Sequence, residues 1–306
     1  MCEAGRMRAR DALLWSTLLG AGALAWGTAV EVRAFTLRRV TVPVLAPGSR
    51  PLRVLHLSDA HMTPSQGRKQ EWLRGLAALE PDLVVNTGDN LSHVDALPAV
   101  LDAYGPLLDV PGVFVFGSND YFSPQPKNPF RYLVGGSGVA AGGSWERQRD
   151  LPFEQMREAF TARGWVDLSN REDKLVVDGR RLSFTGVDDP HLEYDVLKDV
   201  PADPAADLAI GVAHAPYLRV LDHWNQLGYP LILAGHTHGG QLCVPFYGAL
   251  TTNCDLDTKR AKGLHTHQVG EHEPSWMHVS AGLGTSRYAQ VRFACRPEAT
   301  LLTLTG

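Results

Sequence analysis

The sequence predicts an α/β fold: a four-layer α/β/β/α sandwich of two mixed sheets flanked by helices, preceded by one N-terminal transmembrane segment. Between residues 53 and 116, short apolar runs alternate with amphipathic stretches. This is the βαβαβ pattern of a parallel sheet covered by helices. Residues 173–187 contain two apolar runs at hairpin spacing, which indicates a second, partly antiparallel sheet.

The first thirty residues differ from the rest of the chain. Arg6, Arg8 and Arg10 precede an almost uninterrupted apolar run over residues 12–30. About 18–20 apolar residues can span a bilayer as a helix, and arginines before the run favour a cytoplasmic N terminus. We therefore expect residues 1–32 to be a cytoplasmic stub and single-pass anchor in the cell membrane, with residues 33–306 forming an extracytoplasmic domain. A cleaved signal peptide is the alternative.

The individual elements follow from the spacing of apolar residues. Strands are predicted over residues 36–44, 53–57, 83–85, 113–116, 174–177, 182–186, 208–212, 231–233, 276–280 and 300–304. Helices are predicted over residues 68–79, 97–108 and 153–163. Residues 123–145 are rich in proline and glycine and are expected to form a long loop, either a functional lid or a surface excursion.

Composition and cysteine spacing limit the partners and the compartment. The chain has 306 residues and a net charge of −4, so a basic surface for nucleic acid is not expected. Nothing in the sequence indicates an oligomeric state. Cys243 and Cys254 flank a turn-rich segment. They are either a disulfide of an extracytoplasmic domain or two free buried thiols.

Polar residues suited to metal binding follow five of the apolar strand-like runs. They are Asp59 and His61, Asp89, Ser118-Asn119-Asp120, His214, and His236 and His238. Ligands gather outside the carboxyl ends of strands in α/β sheets, so we expect these side chains to meet. Carboxylate, imidazole and amide donors without thiolate suit Mn²⁺, Fe²⁺/³⁺ or Zn²⁺. A shared carboxylate with ligands on either side is what two metals about 3.5–4 Å apart require.

The order of these motifs resembles the calcineurin-like metallophosphoesterase superfamily, from about Val54 to the C terminus. The run GHTHGGQ at residues 235–241 resembles its membrane-associated bacterial branch. The resemblance implies that residues 33–306 are a catalytic domain in which a metal-bridged hydroxide attacks the phosphorus of a phosphomono- or diester. It implies a first metal ion held by Asp59, His61, Asp89 and His238, and a second held by Asp89, Asn119, His214 and His236. Asp89, Asn119 and His214 would be the catalytic residues.

One loop departs from the superfamily pattern. That pattern usually reads Gly-Asn-His-Asp/Glu, where the asparagine ligates and the histidine assists the leaving group. Here the loop reads Gly117-Ser118-Asn119-Asp120. Either the loop shifts by one residue and Asn119 ligates, or the second metal is bound differently. An amide oxygen is a better donor than an unactivated hydroxyl, which favours Asn119. Because the usual histidine acid is missing, substrates with good leaving groups are expected.

Three functions stay open. The resemblance and the anchor favour an extracytoplasmic hydrolase of a lipid-linked or cell-envelope phosphoester. An anchored nucleotide phosphodiesterase and a metal-binding scaffold with weakened catalysis are the alternatives. Asp188 or His191 would reach the site from the second sheet, or else simply form a turn.

Overall fold

Two six-stranded sheets form the centre of the computed structural model, which describes residues 9–125 and 148–306. Most of the loop predicted at residues 123–145 therefore lies outside the described residues. The α-helices are α1 (Ala9–Ala29), α2 (Gly67–Gly75), α3 (Leu97–Tyr104), α4 (Ser118–Tyr121), α5 (Phe153–Ala162) and α6 (Leu218–Gln226). The strands are β1 (Thr36–Pro43), β2 (Leu52–Leu57), β3 (Leu83–Asn86), β4 (Gly112–Phe114), β5 (Val166–Asp167), β6 (Arg171–Val177), β7 (Arg180–Gly186), β8 (Leu208–Val212), β9 (Leu231–Ala234), β10 (Cys243–Val244), β11 (Gly248–Ala249), β12 (Gly263–His267), β13 (Ser275–Val279) and β14 (Glu298–Thr305).

Both large sheets are mixed, which confirms the predicted α/β architecture. The first has the order β1-β14-β2-β3-β4-β5, and only the β14–β2 pair is antiparallel. The second has the order β12-β13-β9-β8-β7-β6, with antiparallel pairs at its two edges. The strands β2, β3 and β4 are the predicted βαβαβ unit. Their parallel pairing brings their carboxyl ends to one edge of the sheet.

Apolar clusters on both faces of the sheets create the layers. One cluster lies between the sheets and joins residues such as Val54 and Val85 to Ile210 and Leu233. A second packs the outer face of the first sheet against α2, α3 and α5. A third packs α6 against the outer face of the second sheet. Because parallel strands are buried on both faces, they read as continuous apolar runs, and this explains why they were predictable.

The N-terminal helix α1 projects from the domain and is attached at its C-terminal end. Gly27 O accepts a hydrogen bond from Arg292 N (3.2 Å), and the buried Glu31 accepts one from Cys295 N (2.6 Å). Across residues 9–125 and 148–306, no helix combines the length and apolarity needed to cross a membrane. The transmembrane segment therefore stays a prediction.

The described cysteines are free thiols. Cys243 and Cys254 lie in different apolar clusters, so the structure does not pair them. Cys243 instead shares a small cluster with Cys295, beside three alanines.

Candidate metal centre

Four of the strand ends carry the six predicted carboxylate and imidazole ligands. Asp59 and His61 follow β2, Asp89 follows β3, His214 follows β8, and His236 and His238 follow β9. Five of the six have a left-handed backbone: φ is 51° at Asp59, 42° at His61, 56° at Asp89, 69° at His236 and 49° at His238. Residues other than glycine rarely adopt this region, and such strain concentrates at functional sites.

The first predicted ligand set forms one tight cluster. The ligand atoms of Asp59, His61, Asp89 and His238 all lie within 4.8 Å of one another. His61 Nε2 lies 3.2 Å from His238 Nε2 and 3.4 Å from Asp89 Oδ2, and His238 Nε2 lies 3.5 Å from Asp59 Oδ1. Two carboxylates and two imidazoles therefore face a common point.

The second predicted set adjoins the first through Asp89. His214 Nε2 lies 3.6 Å from Asp89 Oδ2 and 3.3 Å from His236 Nδ1. Asn119, in α4, donates to both oxygens of Asp89, through its backbone N to Oδ1 (2.7 Å) and its Nδ2 to Oδ2 (2.7 Å). Ser118 Oγ is 3.3 Å from the same amide nitrogen. Asn119 is therefore the residue of this loop that donates to the Asp89 carboxylate, and the atom of its side-chain amide that faces this carboxylate is the nitrogen.

A second contact orients each imidazole. The nitrogen that points away from the cluster lies near an oxygen: Ser92 Oγ for His61 (3.1 Å), Thr87 O for His214 (2.7 Å), Gly284 O for His238 (3.2 Å) and Asn253 O for His236 (3.2 Å). Such contacts fix the tautomer of a metal-binding histidine and leave the other nitrogen available. His236 thus presents Nδ1, and the other three present Nε2.

The residues of the first cluster fit a divalent cation. Asp59 Oδ1 is buried and has no hydrogen-bond partner among the described residues, a costly state for a carboxylate oxygen. The two imidazole nitrogens at 3.2 Å also turn toward each other. A cation between these atoms would satisfy all of them, and oxygen and nitrogen donors suit Zn²⁺, Mn²⁺ or iron.

Comparison with known proteins identifies the family. Residues 52–240 match the calcineurin-like phosphoesterase family. The chain belongs to this family. It is 24% identical over 260 residues to the uncharacterized metallophosphoesterase YkoQ of Bacillus subtilis (strain 168), covering 83% of this chain and 84% of that protein. It is 26% identical over 279 residues to the phosphodiesterase YaeI of Escherichia coli (strain K12), covering 88% of each chain.

A third relative is a bovine (Bos taurus) protein named "Transmembrane protein with metallophosphoesterase domain". It is 27% identical over 286 residues, which cover 90% of this chain and 58% of the relative. Together, the family, the named relatives and the ligand cluster make this calcineurin-like phosphoesterase a metal-dependent phosphoester hydrolase.

The titratable side chains of the phosphoesterase site have pKa values that are shifted in different directions. Burial alone would raise the pKa of Asp89, but His214 and His61, with the two hydrogen bonds from Asn119, lower it below its usual range. Burial lowers the pKa of His61 to about 4, so its imidazole is neutral, the form that binds metals. Burial alone would lower the pKa of His214, but Asp89 and two further aspartates raise it to about 9. The carboxylates around His214 therefore favour a positive charge there.

Three residues to which the sequence assigned no supporting role hold the site together. Asp120 accepts hydrogen bonds from the backbone N of Asp89 (2.8 Å), Asn90 (2.7 Å) and Gly117 (3.0 Å) and so joins two ligand loops. Buried Lys69 donates to Ala60 O (2.6 Å), between two ligands, and buried Arg292 donates to His238 O (3.3 Å). Asp120 lies in a motif already singled out, whereas Lys69 and Arg292 carry no sequence signal.

Gly117 allows α4 to approach the ligands. A Cβ at this position would lie 2.3 Å from Asp89 Oδ1 and 2.6 Å from His214 Cε1, so no side chain fits. This explains the glycine before Ser118 without any need for an unusual backbone angle.

His191 and Asp188 have different positions. His191 lies in a short 3₁₀ turn after β7, and its ring centre is 4.6 Å from that of His236. It therefore reaches the second ligand set while also forming a turn. Asp188 Oδ1 instead accepts a hydrogen bond from Tyr121 OH (2.8 Å) at the end of α4.

Proposed function

We propose that this phosphoesterase binds two divalent cations, of manganese, iron or zinc, and hydrolyses a phosphomono- or diester. The observation that carries the proposal is the position of Asp89. Its Oδ2 lies 3.4 Å from His61 Nε2 and 3.6 Å from His214 Nε2, so one carboxylate serves two histidine groups, as a bridging ligand does. Asp59, His61, Asp89 and His238 would hold one cation, and Asp89, Asn119, His214 and His236 the other.

The cations, when bound, lower the pKa of water and neutralise charge on phosphate oxygens. The protein's own contribution is to hold the ligands rigidly. Asp120 ties the Asp89 loop to α4, and Asn119 donates to Asp89 from its backbone. For Asn119 to ligate, its amide must rotate so that Oδ1 replaces Nδ2 beside Asp89. The amide oxygen of Asn119 would be the group attracted to a cation held there, so metal binding would favour that rotation.

We also propose that the enzyme acts at the extracytoplasmic face of the cell membrane on a lipid-linked or cell-envelope phosphoester. Residues 14–22 of α1 are exposed without interruption, and large apolar side chains such as Leu14, Trp15 and Leu19 are among them. An apolar surrounding suits such a helix better than water does. Arg292 links the C-terminal end of α1 to the site, because its backbone N donates to Gly27 O of α1 while its guanidinium donates to His238 O. The bovine relative, which is named as a transmembrane protein, agrees with this proposal.

The experiment is a substrate screen on full-length protein in detergent, stripped of metal and reloaded with Mn²⁺, Fe²⁺ or Zn²⁺. Substrates are bis-p-nitrophenyl phosphate, p-nitrophenyl phosphate, a nucleotide diester and a phospholipid. We expect metal-dependent turnover and about two ions per chain, with both lost in Asp89→Asn. Preference for the nucleotide would support the anchored nucleotide phosphodiesterase. Full metal occupancy without turnover of any substrate would contradict hydrolysis and leave the scaffold alternative.

A further inference from the structure

Two cysteines far apart in sequence, Cys243 and Cys295, pack in one buried cluster beside the predicted ligand His238. Cys243 begins the hairpin formed by β10 and β11, and Cys295 lies just before β14. Both thiols donate to Gly239 O, at 3.2 Å from Cys243 Sγ and 3.4 Å from Cys295 Sγ. Because both sulfurs contact the same carbonyl oxygen and belong to one buried cluster, the two side chains are neighbours.

The backbone holds the two segments in register. Cys243 N donates to Phe293 O (2.9 Å), and Phe293 N donates to Gln241 O (3.0 Å). Leu242 and Phe293 form a parallel β-bridge. A disulfide requires two thiols on segments fixed side by side, so this pairing supplies what the pair Cys243 and Cys254 lacks.

We propose that Cys243 and Cys295 are a disulfide-forming pair, oxidised by a low-molecular-weight disulfide. This goes beyond phosphoester hydrolysis and does not depend on it. Cys243 lies on a hairpin whose tip residues, Phe246 and Tyr247, are exposed; Cys243 is buried but retains 5% exposure, whereas Cys295 has none. Cys295 Sγ lies 3.6 Å from Lys262 Nζ and 3.9 Å from Arg292 Nη1.

The exchange proceeds in two balanced steps. The Cys243 thiolate attacks the oxidant's disulfide, whose S–S bond breaks; a mixed disulfide forms and one thiol leaves. The Cys295 thiolate then attacks Cys243 Sγ of the mixed disulfide, forms the Cys243–Cys295 bond and releases the second thiol. The two cysteine protons end on the two released thiols, and the oxidant takes up the two electrons that the cysteines lose.

The bond would fasten the hairpin to the segment that holds α1. Cys295 N donates to Glu31, next to α1, and Cys295 Sγ donates to His238 O (3.3 Å). Oxidation removes both S–H donors and replaces them with a covalent link across a loop of ~50 residues. We expect this link to raise the unfolding temperature Tm by roughly 5–15 °C.

The test uses full-length protein in detergent, treated with oxidised glutathione, denatured, alkylated and digested for mass spectrometry. A linked peptide containing Cys243 and Cys295 supports the proposal. A Cys243–Cys254 peptide, or alkylation of all the cysteines, overturns it. In a second measurement, Cys254→Ser is the matched control: it should keep both the linked peptide and the oxidation-dependent rise in Tm, whereas Cys243→Ser should lose both. Should Cys243→Ser fail to fold, peptide mapping of the unmodified sequence decides alone.

Discussion

Replacing Arg292 with methionine should weaken both the fold and the metal site. The guanidinium is fully buried and donates to backbone carbonyls, namely those of Ala281 (2.7 Å), Gly284 (2.7 Å), Gly282 (3.2 Å), His238 (3.3 Å) and Cys295 (3.3 Å). A buried acceptor left without a donor costs about 1–3 kcal/mol. Loss of the two shortest contacts alone therefore costs about 2–6 kcal/mol, or a Tm decrease of roughly 4–24 °C for a domain of this size.

The same change should lower metal affinity, because Gly284 O is also the acceptor that orients His238 Nδ1. Residues that orient a ligand typically contribute 10–100-fold to metal affinity. Thermal unfolding of the metal-free protein measures the first effect, and competition with a chelator measures the second. Arg287→Met, at an exposed arginine of the same segment, is the control. If Arg292→Met matches this control in both measurements, Arg292 does not position His238.

Three further predictions follow. Asn119→Ala should lower metal affinity and turnover together while Ser118→Ala leaves both nearly unchanged, and the reverse order in a metal titration would assign the ligand to Ser118. Deleting residues 1–32 removes Glu31, the buried glutamate that accepts a hydrogen bond from Cys295 N, whereas deleting residues 1–29 keeps it. In urea unfolding, the protein with the shorter deletion should be more stable by about 1–3 kcal/mol. Equal stability of the two proteins would contradict a structural role for this carboxylate. Burial lowers the pKa of His278 from 6.5 to about 3, so between these pH values the unfolded chain binds a proton that the folded chain does not, and the free energy of unfolding falls as the pH falls. His278→Gln should therefore remove about 2 kcal/mol of the stability that the metal-free protein loses between pH 6.5 and 5. An unchanged dependence of the unfolding free energy on pH would refute this.

The fold was predictable where burial determines the sequence pattern. The central strands β2, β3, β8 and β9 are buried on both faces and read as apolar runs. Helix ends were less predictable: the run over residues 97–108 continues past Pro106, but α3 ends at Tyr104, because proline interrupts helical hydrogen bonding. The edge strand β12 went unpredicted, since its sequence GLHTH has no apolar alternation.

The site was predictable for a different reason. A chain that leaves the carboxyl end of a parallel strand must turn at a fixed edge of the sheet, so polar residues after several such strands converge. This explains why Asp59, Asp89 and His214 meet. Lys69 and Arg292 could not be found in this way, because they reach the site through the backbone carbonyls of Ala60 and His238, which carry no residue-specific signal.

Backbone pairing between loops helps three of the predicted ligands, Asp59, His61 and Asp89, to keep a left-handed conformation, which costs about 1–2 kcal/mol for each residue. Asp59 N donates to Gly88 O (2.8 Å) and His61 N donates to Asp89 O (2.9 Å), so the loop after β2 and the loop after β3 are held as one unit. These contacts involve no metal ligand atom. Protein hydrogen bonds thus offset part of the strain at these three residues.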